Sequence, residues 1–492
     1  MYLGLDLGTS ELKALLLNEH QHVLATAGAA LSVQRPHERW SEQNPDDWWH
    51  ALERVMDQLR HEHPHALSQL RAIGLSGQMH GAVLMDAQGV VLRPAILWND
   101  GRSADECTWL HAQAPDLRSI TGNLAMPGFT SPKLQWVRHH EPALFERVCH
   151  VLLPKDWLRW RLTGEFATDL SDASGTLWLD TGGRDWSDRL LELSGLSREQ
   201  MPRLLEGTEV SGTVLPAWCQ RWQLPATVAV VAGAGDNAAS AIGMGLTEPG
   251  QGFVSLGTSG VVFVNSAAYD PRPDQALHTF CHALPQRWHQ MSVMLSAASA
   301  VAWATDAMGF AHVSDLLGAT ASLSEQEAQQ APVFLPYLNG ERSPHNNPQA
   351  TAAWSGLRAS HSRAHMAYAV AEGVGFGLFD GIQTFPDQGR SWAALSLVGG
   401  GSRSEWWAQT LADTFGLTLQ VQEAADHGGA LGAARLACIS QGASIAEVCT
   451  SPPTLRTHTP RPERHQRLLE RHAQFQRRYA DDPAQAALRI TT

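Results

Sequence analysis

Nowhere in these 492 residues does an apolar run approach the ~18–20 residues that a membrane-spanning helix needs. Cysteine is sparse. Its six residues, Cys107, Cys149, Cys219, Cys281, Cys438 and Cys449, are scattered without a CxxC pair, which argues against a zinc ribbon or a disulfide framework. Basic charge is in deficit: 36 Lys and Arg face 49 Asp and Glu, a net charge of −13, so no nucleic-acid partner is expected. An anionic ligand must then be met by local charge or backbone donors. Two familiar phosphate signatures are also missing. No Walker A sequence occurs, and Gly399-Gly400-Gly401 lacks the later glycine of the dinucleotide-binding fingerprint. The chain opens directly on an apolar, strand-like run, leaving no room for a signal peptide, so a reduced, cytoplasmic protein is the expectation. The length predicts two large domains, and no low-complexity linker separates them.

What is present is a repeat. Leu-Gly-Thr-Ser occurs at Leu7-Gly8-Thr9-Ser10 and again at Leu256-Gly257-Thr258-Ser259, about half the chain apart. Each copy lies between two short apolar runs, which reads as strand, tight turn, strand. Such a turn presents backbone N–H groups and two hydroxyls, a setting that suits phosphate. Two turns imply two related domains facing one phosphate chain. The copies differ at one position, Asp6 in the first against Ser255 in the second, and this asymmetry fits a metal–nucleotide site.

Further strands are predicted at Val23–Ala29, Ala72–Ser76, Val228–Ala232, Ala394–Val398 and, as the last, Leu417–Gln420. Val83–Asp86 and Val90–Arg93 read as a hairpin. Asn44-Pro45-Asp46-Asp47 signals a helix start, and Gly428-Gly429 leads another helix. A charged segment from Pro462 to Tyr479 reads as a solvated terminal helix.

Asp236 is the strongest single candidate for chemistry. It follows a buried valine-rich strand on a glycine-lined turn at a helix start, where α/β folds place ligands. There it could accept a proton from a hydroxyl, or serve only as an N-cap. Asp6 could hold Mg²⁺ as a hard carboxylate, or bond its own turn. Lys13 could approach phosphate or face solvent. Gln78, Met79 and His80 end a strand with donors, a flexible apolar surface and an imidazole, a combination that suits a small polyhydroxylated ligand. Trp98-Asn99-Asp100-Gly101-Arg102 is a second polar–aromatic cluster. His61, His63 and His65 read as an exposed helix end, with no metal role.

Together these motifs resemble the FGGY carbohydrate kinases of the actin–hexokinase–chaperone ATPase superfamily. The likeness runs from Met1 to Arg435 and includes Gly128-Phe129-Thr130-Ser131-Pro132-Lys133, Leu335-Pro336-Tyr337-Leu338-Asn339-Gly340-Glu341-Arg342 and Glu372-Gly373-Val374-Gly375-Phe376-Gly377. It implies an α/β chain of two ribonuclease-H-like domains with a cleft between them. Residues 1–245 would carry the sugar site, base and metal, and residues 246–492 the nucleotide site and terminal helix. Within the family, Gly77-Gln78-Met79-His80-Gly81 and Leu97-Trp98-Asn99-Asp100-Gly101-Arg102 are similar to the bacterial members that act on D-xylulose. The resemblance then implies that Asp236 deprotonates the sugar's 5-hydroxyl while Gln78, Met79 and His80 contact the sugar. Asp6 would organise Mg²⁺, Thr9 and Thr258 would lie at the phosphates of ATP, and Gly400 and Gly401 would border the adenosine. Glu11 departs from the family pattern at the hairpin tip and is expected to face solvent, and His139 departs after Trp136 in a region expected to be structural. Other sugars or polyols, such as ribulose, gluconate or glycerol, stand as alternative substrates, and a non-catalytic sensor as an alternative role. The partners expected are the sugar and ATP, with no membrane or nucleic acid; assembly, a homodimer included, is left open.

Overall fold

The computed structural model describes residues 1–387, 389, 391–423 and 428–481. It holds two seven-stranded mixed sheets, one from each half of the sequence. In the first, Tyr2–Leu7 runs antiparallel to Glu11–Leu17, which runs antiparallel to Val23–Ala30. On its other side Tyr2–Leu7 runs parallel to Ala72–Gly77, which in turn pairs in parallel with Ala229–Val231. The second sheet repeats the plan. Gly252–Leu256 pairs antiparallel with Gly260–Ser266 and parallel with Leu395–Val398, and Leu419–Gln422 lies beyond. The duplication foreseen in the two Leu-Gly-Thr-Ser turns is therefore a duplication of sheet topology. Both turns lie at corresponding hairpin tips.

The helix Gly428–Ser440 ties the halves together. It comes from the second half but lies on the first sheet. A side chain at Gly4 or Gly74 would place its Cβ 1.8 Å from the carbonyl oxygen of Ala430 or Ala433, so helix backbone rests directly on strand backbone. The helix Asp236–Gly243 packs against it in the same way, since a Cβ at Gly432 would meet Ala239 O at 1.8 Å. A division at 245/246 would assign these two packed helices to different halves.

Several local expectations differ from the fold. Val83–Met85 pairs with His150–Leu152, and the expected hairpin is present only as a tight turn after Asp86, closed by the Met85–Val91 bridge and its Asp86–Val90 and Leu92–Leu84 hydrogen bonds. The last strand is Thr454–His458, beyond Leu419–Gln422. The terminal helix Pro462–Asp481 is packed rather than solvated: it buries Leu468, Arg471, His472, Phe475 and Tyr479. Its charged residues misled the reading because Arg471 is buried together with its partner Glu372, at 2.5 and 2.7 Å. The Asn44 cap and Pro45 start of the helix Pro45–Glu62 are as the sequence suggests.

Candidate active site

Asp236 and the sugar-type residues meet because two strands end side by side. Ala234–Gly235 pairs in parallel with Ser76–Gly77, so Asp236 and Gln78 leave the sheet at the same level. Gly235 occupies the N-cap position and Asp236 is the first helical residue, so this aspartate is not itself the N-cap, although one of its oxygens serves a first-turn N–H. Its Oδ1 accepts the Asn237 N–H at 2.6 Å and the Asn237 side-chain amide at 2.8 Å. Among the described residues its Oδ2 has no hydrogen-bond partner. Burial, reinforced by the nearby Asp6 charge, pushes Asp236 up to about 7. That value suits a proton acceptor near neutral pH.

Asp6 lies on the neighbouring strand. Its Oδ1 accepts the Ser76 hydroxyl at 2.8 Å, and Lys13 stands opposite it across the antiparallel pair. Burial raises its pKa while Ser76 and Lys13 oppose the rise. A Cβ at Gly429 would lie 2.6 Å from Asp6 Oδ2, so the first turn of the crossing helix closes on this carboxylate. Lys13 is about half exposed and 4.0 Å from Glu11, whose side chain is equally exposed. Glu11 lies over Gly28, on the same face of the sheet as Lys13 and Asp6.

Gln78 is buried and bonded into the wall of the site. It donates to Gln43 Oε1 at 3.0 Å and accepts from the Thr9 hydroxyl at 3.1 Å. The Trp98 indole N–H in turn donates to Thr9 Oγ1 at 2.9 Å. The Thr9 hydroxyl thus joins the sugar-side loop, while the exposed Ser10 hydroxyl and the turn's backbone remain on the other side for a phosphate. Met79 sulfur packs on Gly235, one residue before Asp236. His80 adopts φ +67, a strained conformation for a side-chain-bearing residue. Its Nδ1 lies 2.7 Å from Gly175 O. A carbonyl oxygen only accepts, so Nδ1 carries the proton and Nε2 is left as an acceptor. Burial pushes His80 down to about 3, and its ring stays neutral between Phe129 and Phe280.

Sequence reasoning missed Lys133 and Arg342 as members of this site. Lys133 is buried and donates to His80 O at 2.8 Å and Gly128 O at 2.7 Å, fixing the strained loop. Arg342, from the second half, brings its guanidinium to Gly128. Both lay within segments already singled out, but nothing local marked where either side chain goes. Of the second polar–aromatic cluster, Trp98 faces the site, whereas Asp100 and Arg102 pair with each other at 2.6 Å below it. His139 contacts Glu106, away from these groups.

Thr258, Gly400 and Gly401 line a different space, a cavity of about 930 Å³ in the second half. Its other walls come from the helices Ala298–Ala307 and Val313–Ala321, through residues such as Ala302 and Leu317, and from Trp406. Neither helix was identified as part of a site from sequence. The Thr258 carbonyl accepts Ala297 N–H at 3.0 Å and the Ser299 hydroxyl at 2.8 Å, anchoring the turn to the start of that helix. A mostly apolar slot ending at a Gly-Thr-Ser turn suits a flat base that carries phosphates.

Family models match both halves: the N-terminal domain of the FGGY family of carbohydrate kinases over residues 1–243, and its C-terminal domain over 252–441. The chain belongs to the FGGY family of carbohydrate kinases. This FGGY kinase is 52% identical over 482 residues to the xylulose kinase of Escherichia coli K12, an alignment spanning 97% of this chain and 98% of the relative. It is 51% identical to the xylulose kinase of Klebsiella pneumoniae, over 89% and 90% of the two chains. The solved structure of a xyloylose kinase from Brucella ovis superposes with a TM-score of 0.93 at 47% identity, covering 97% of this chain and 98% of that one. A gluconate kinase from Lactobacillus acidophilus reaches a TM-score of 0.92 at only 21% identity. The fold alone therefore does not select the sugar.

Proposed function

We propose that this FGGY kinase transfers the γ-phosphoryl group of ATP to the 5-hydroxyl of D-xylulose, giving D-xylulose 5-phosphate and ADP. The relatives that span nearly the whole chain at about half identity are named for this sugar. The observation that carries the chemistry is the Asp236 carboxylate, one oxygen held by Asn237 and the other without a partner among the described residues, beside the Gln78-Met79-His80 wall.

Phosphoryl transfer asks for in-line positioning and charge neutralisation more than covalent help. The sugar lies against Met79, with His80 Nε2 accepting a hydrogen bond from one of its hydroxyls. Asp236 Oδ2 takes the proton of the 5-hydroxyl as that oxygen bonds to the γ-phosphorus, and the bond from phosphorus to the β–γ bridging oxygen breaks. The adenosine occupies the cavity beside Gly400 and Gly401, with Thr258 at the phosphates. Asp6 fits Mg²⁺ by its donor set, since Ser76 occupies Oδ1 and leaves Oδ2 as a hard oxygen ligand. Bound there, the ion would neutralise charge on the phosphates. The two Gly-Thr-Ser turns supply backbone N–H groups from both domains, and enclosure between the sheets excludes water as a competing acceptor. A cytoplasmic location accords with the use of ATP.

Purified full-length protein with ATP, assayed against D-xylulose, D-ribulose, L-ribulose, gluconate and glycerol, tests the reading. D-xylulose is expected to give the highest kcat/KM, and a better substrate among the others would replace it.

A further inference from the structure

Directly beneath the two strand ends lies a group of charged side chains with no contact to solvent. Lys155, Asp156 and Arg159 come from the helix Pro154–Thr163, and Asp169 and Asp172 from the segment that follows; all five are completely buried. Lys155 Nζ sits 2.6 Å from Asp156, 2.6 Å from Asp169 and 3.0 Å from Asp172, and Arg159 pairs with Asp156. With the ammonium already at the centre of the three carboxylates, the group is an internal ion network rather than a cation site. Such networks are costly to desolvate and are often no more stable than an apolar core. What they do provide is fixed direction, because each group restricts its neighbours.

The network reaches the site at two points. Asp169 accepts the Ser171 hydroxyl hydrogen, and it also holds the backbone N–H groups of Ser171 at 2.9 Å and Asp172 at 3.1 Å. The Ser171 oxygen accepts the Gly235 N–H at 3.0 Å. Gly235 immediately precedes Asp236, and no helical carbonyl is available to its N–H at that position. On the other strand, the Lys155 stem lies under Gly77, where a Cβ would come within 3.0 Å of Lys155 Cβ. Gly77 and Gly235 are themselves register partners. One buried network therefore sets the height of both the loop carrying Gln78 and the turn carrying Asp236.

We infer that Ser171, locked by Asp169 and Lys155, is a positioning residue for catalysis: its hydroxyl fixes the Gly235 backbone and so aims the Asp236 carboxylate at the sugar hydroxyl. The inference rests on the reading of Asp236 as the base. A misplacement of about 1 Å at a reacting group can cost on the order of 100-fold in rate, and no other side chain hydrogen-bonds this amide among the described residues.

The test compares Ser171→Ala, Ser171→Cys and Asp236→Ala in the full-length chain, measuring kcat, KM for D-xylulose and for ATP, and Tm. Cysteine keeps the volume of serine but is a weak acceptor. The expected result for both Ser171 variants is a kcat lowered roughly 10- to 100-fold, with KM for ATP within about twofold and Tm close to the parent's. If Ser171→Ala does not fold, Ser171→Cys carries the comparison. A parental kcat in a folded Ser171 variant overturns the inference, and so does a rise in KM for ATP that tracks a falling Tm, which would mark a general structural role. Asp236→Ala separates the two readings. Turnover persisting in that variant removes the base assignment itself, whereas its loss alongside a fully active Ser171→Ala removes only the positioning role.

Discussion

The Asp6 carboxylate stands close enough to Asp236 for its charge to add to burial in pushing Asp236 up to about 7. The two acids, Asp6 on the strand Tyr2–Leu7 and Asp236 at the start of a helix, are thereby given different tasks: Asp6 is tied to Ser76 and faces the crossing helix, while Asp236 keeps an oxygen without a partner among the described residues. A base with this pKa loses its proton near neutrality, so kcat/KM for D-xylulose should fall as pH drops, with an apparent pKa near 7. An acid limb near the ordinary carboxylate value of about 4 would contradict the assignment. The same shift appears in stability. The folded protein keeps the Asp236 proton up to about 7, and the unfolded chain only up to about 4. This group therefore destabilises the fold increasingly as pH rises between those values, and by a constant amount above them. Asp236→Asn should be more stable than the parent by on the order of 4 kcal/mol above pH 7 and nearly equal to it at pH 4. Denaturation midpoints at both pH values check the sign.

Thr9 spends its hydroxyl on Gln78 and Trp98. Thr9→Val keeps the shape and leaves both partners unsatisfied, at a cost of about 1–3 kcal/mol. The loss should fall on the sugar side: KM for D-xylulose rising about tenfold (about 1.4 kcal/mol), with KM for ATP within about twofold. A larger change in KM for ATP would return this hydroxyl to the phosphates.

Gly400 faces open space, with no atom within 4 Å of a Cβ placed there, whereas a Cβ at Gly401 would meet the Trp407 ring at 2.7 Å and Leu256 at 2.8 Å. Gly400→Val should therefore fold normally and project into the cavity, raising KM for ATP about tenfold or more while sparing KM for the sugar. Gly401→Ala should instead lower Tm, by the overpacking cost of about 1–3 kcal/mol. If Gly400→Val left nucleotide affinity unchanged, the cavity would not be the adenosine site.

The sequence made the hairpin repeat legible because strand, turn and strand are contiguous, and Asp236 legible because a buried strand runs straight into its glycine turn. What it concealed were pairings made across the chain. Thr9 belongs with Trp98, Lys133 with the carbonyl of His80, and Ser171 with Gly235; no local periodicity links these residues. The helix Gly428–Ser440 showed its glycines, but not that they rest on the other half's sheet at Gly4 and Gly74. The terminal helix misled most plainly, since a charged stretch reads as solvated unless the buried partner of each charge is known.

That partner is Glu372 on the helix Arg363–Gln383, and it makes the terminal helix testable. Arg471 donates to both Glu372 oxygens and also to the carbonyls of Gln329 and Ala331, all within the packed interface. Glu372→Gln removes the negative charge and leaves the guanidinium buried without compensation, a situation that typically costs 3–5 kcal/mol. Glu470, one residue before Arg471 but exposed, supplies the control. Glu470→Gln should change stability by no more than about 0.5 kcal/mol. Urea midpoints should therefore drop clearly for Glu372→Gln and barely for Glu470→Gln. Equal midpoints would mean that the Arg471–Glu372 pair adds nothing to the hold of the terminal helix, which would then rest on its apolar face and its other polar contacts such as His472 with Asp380.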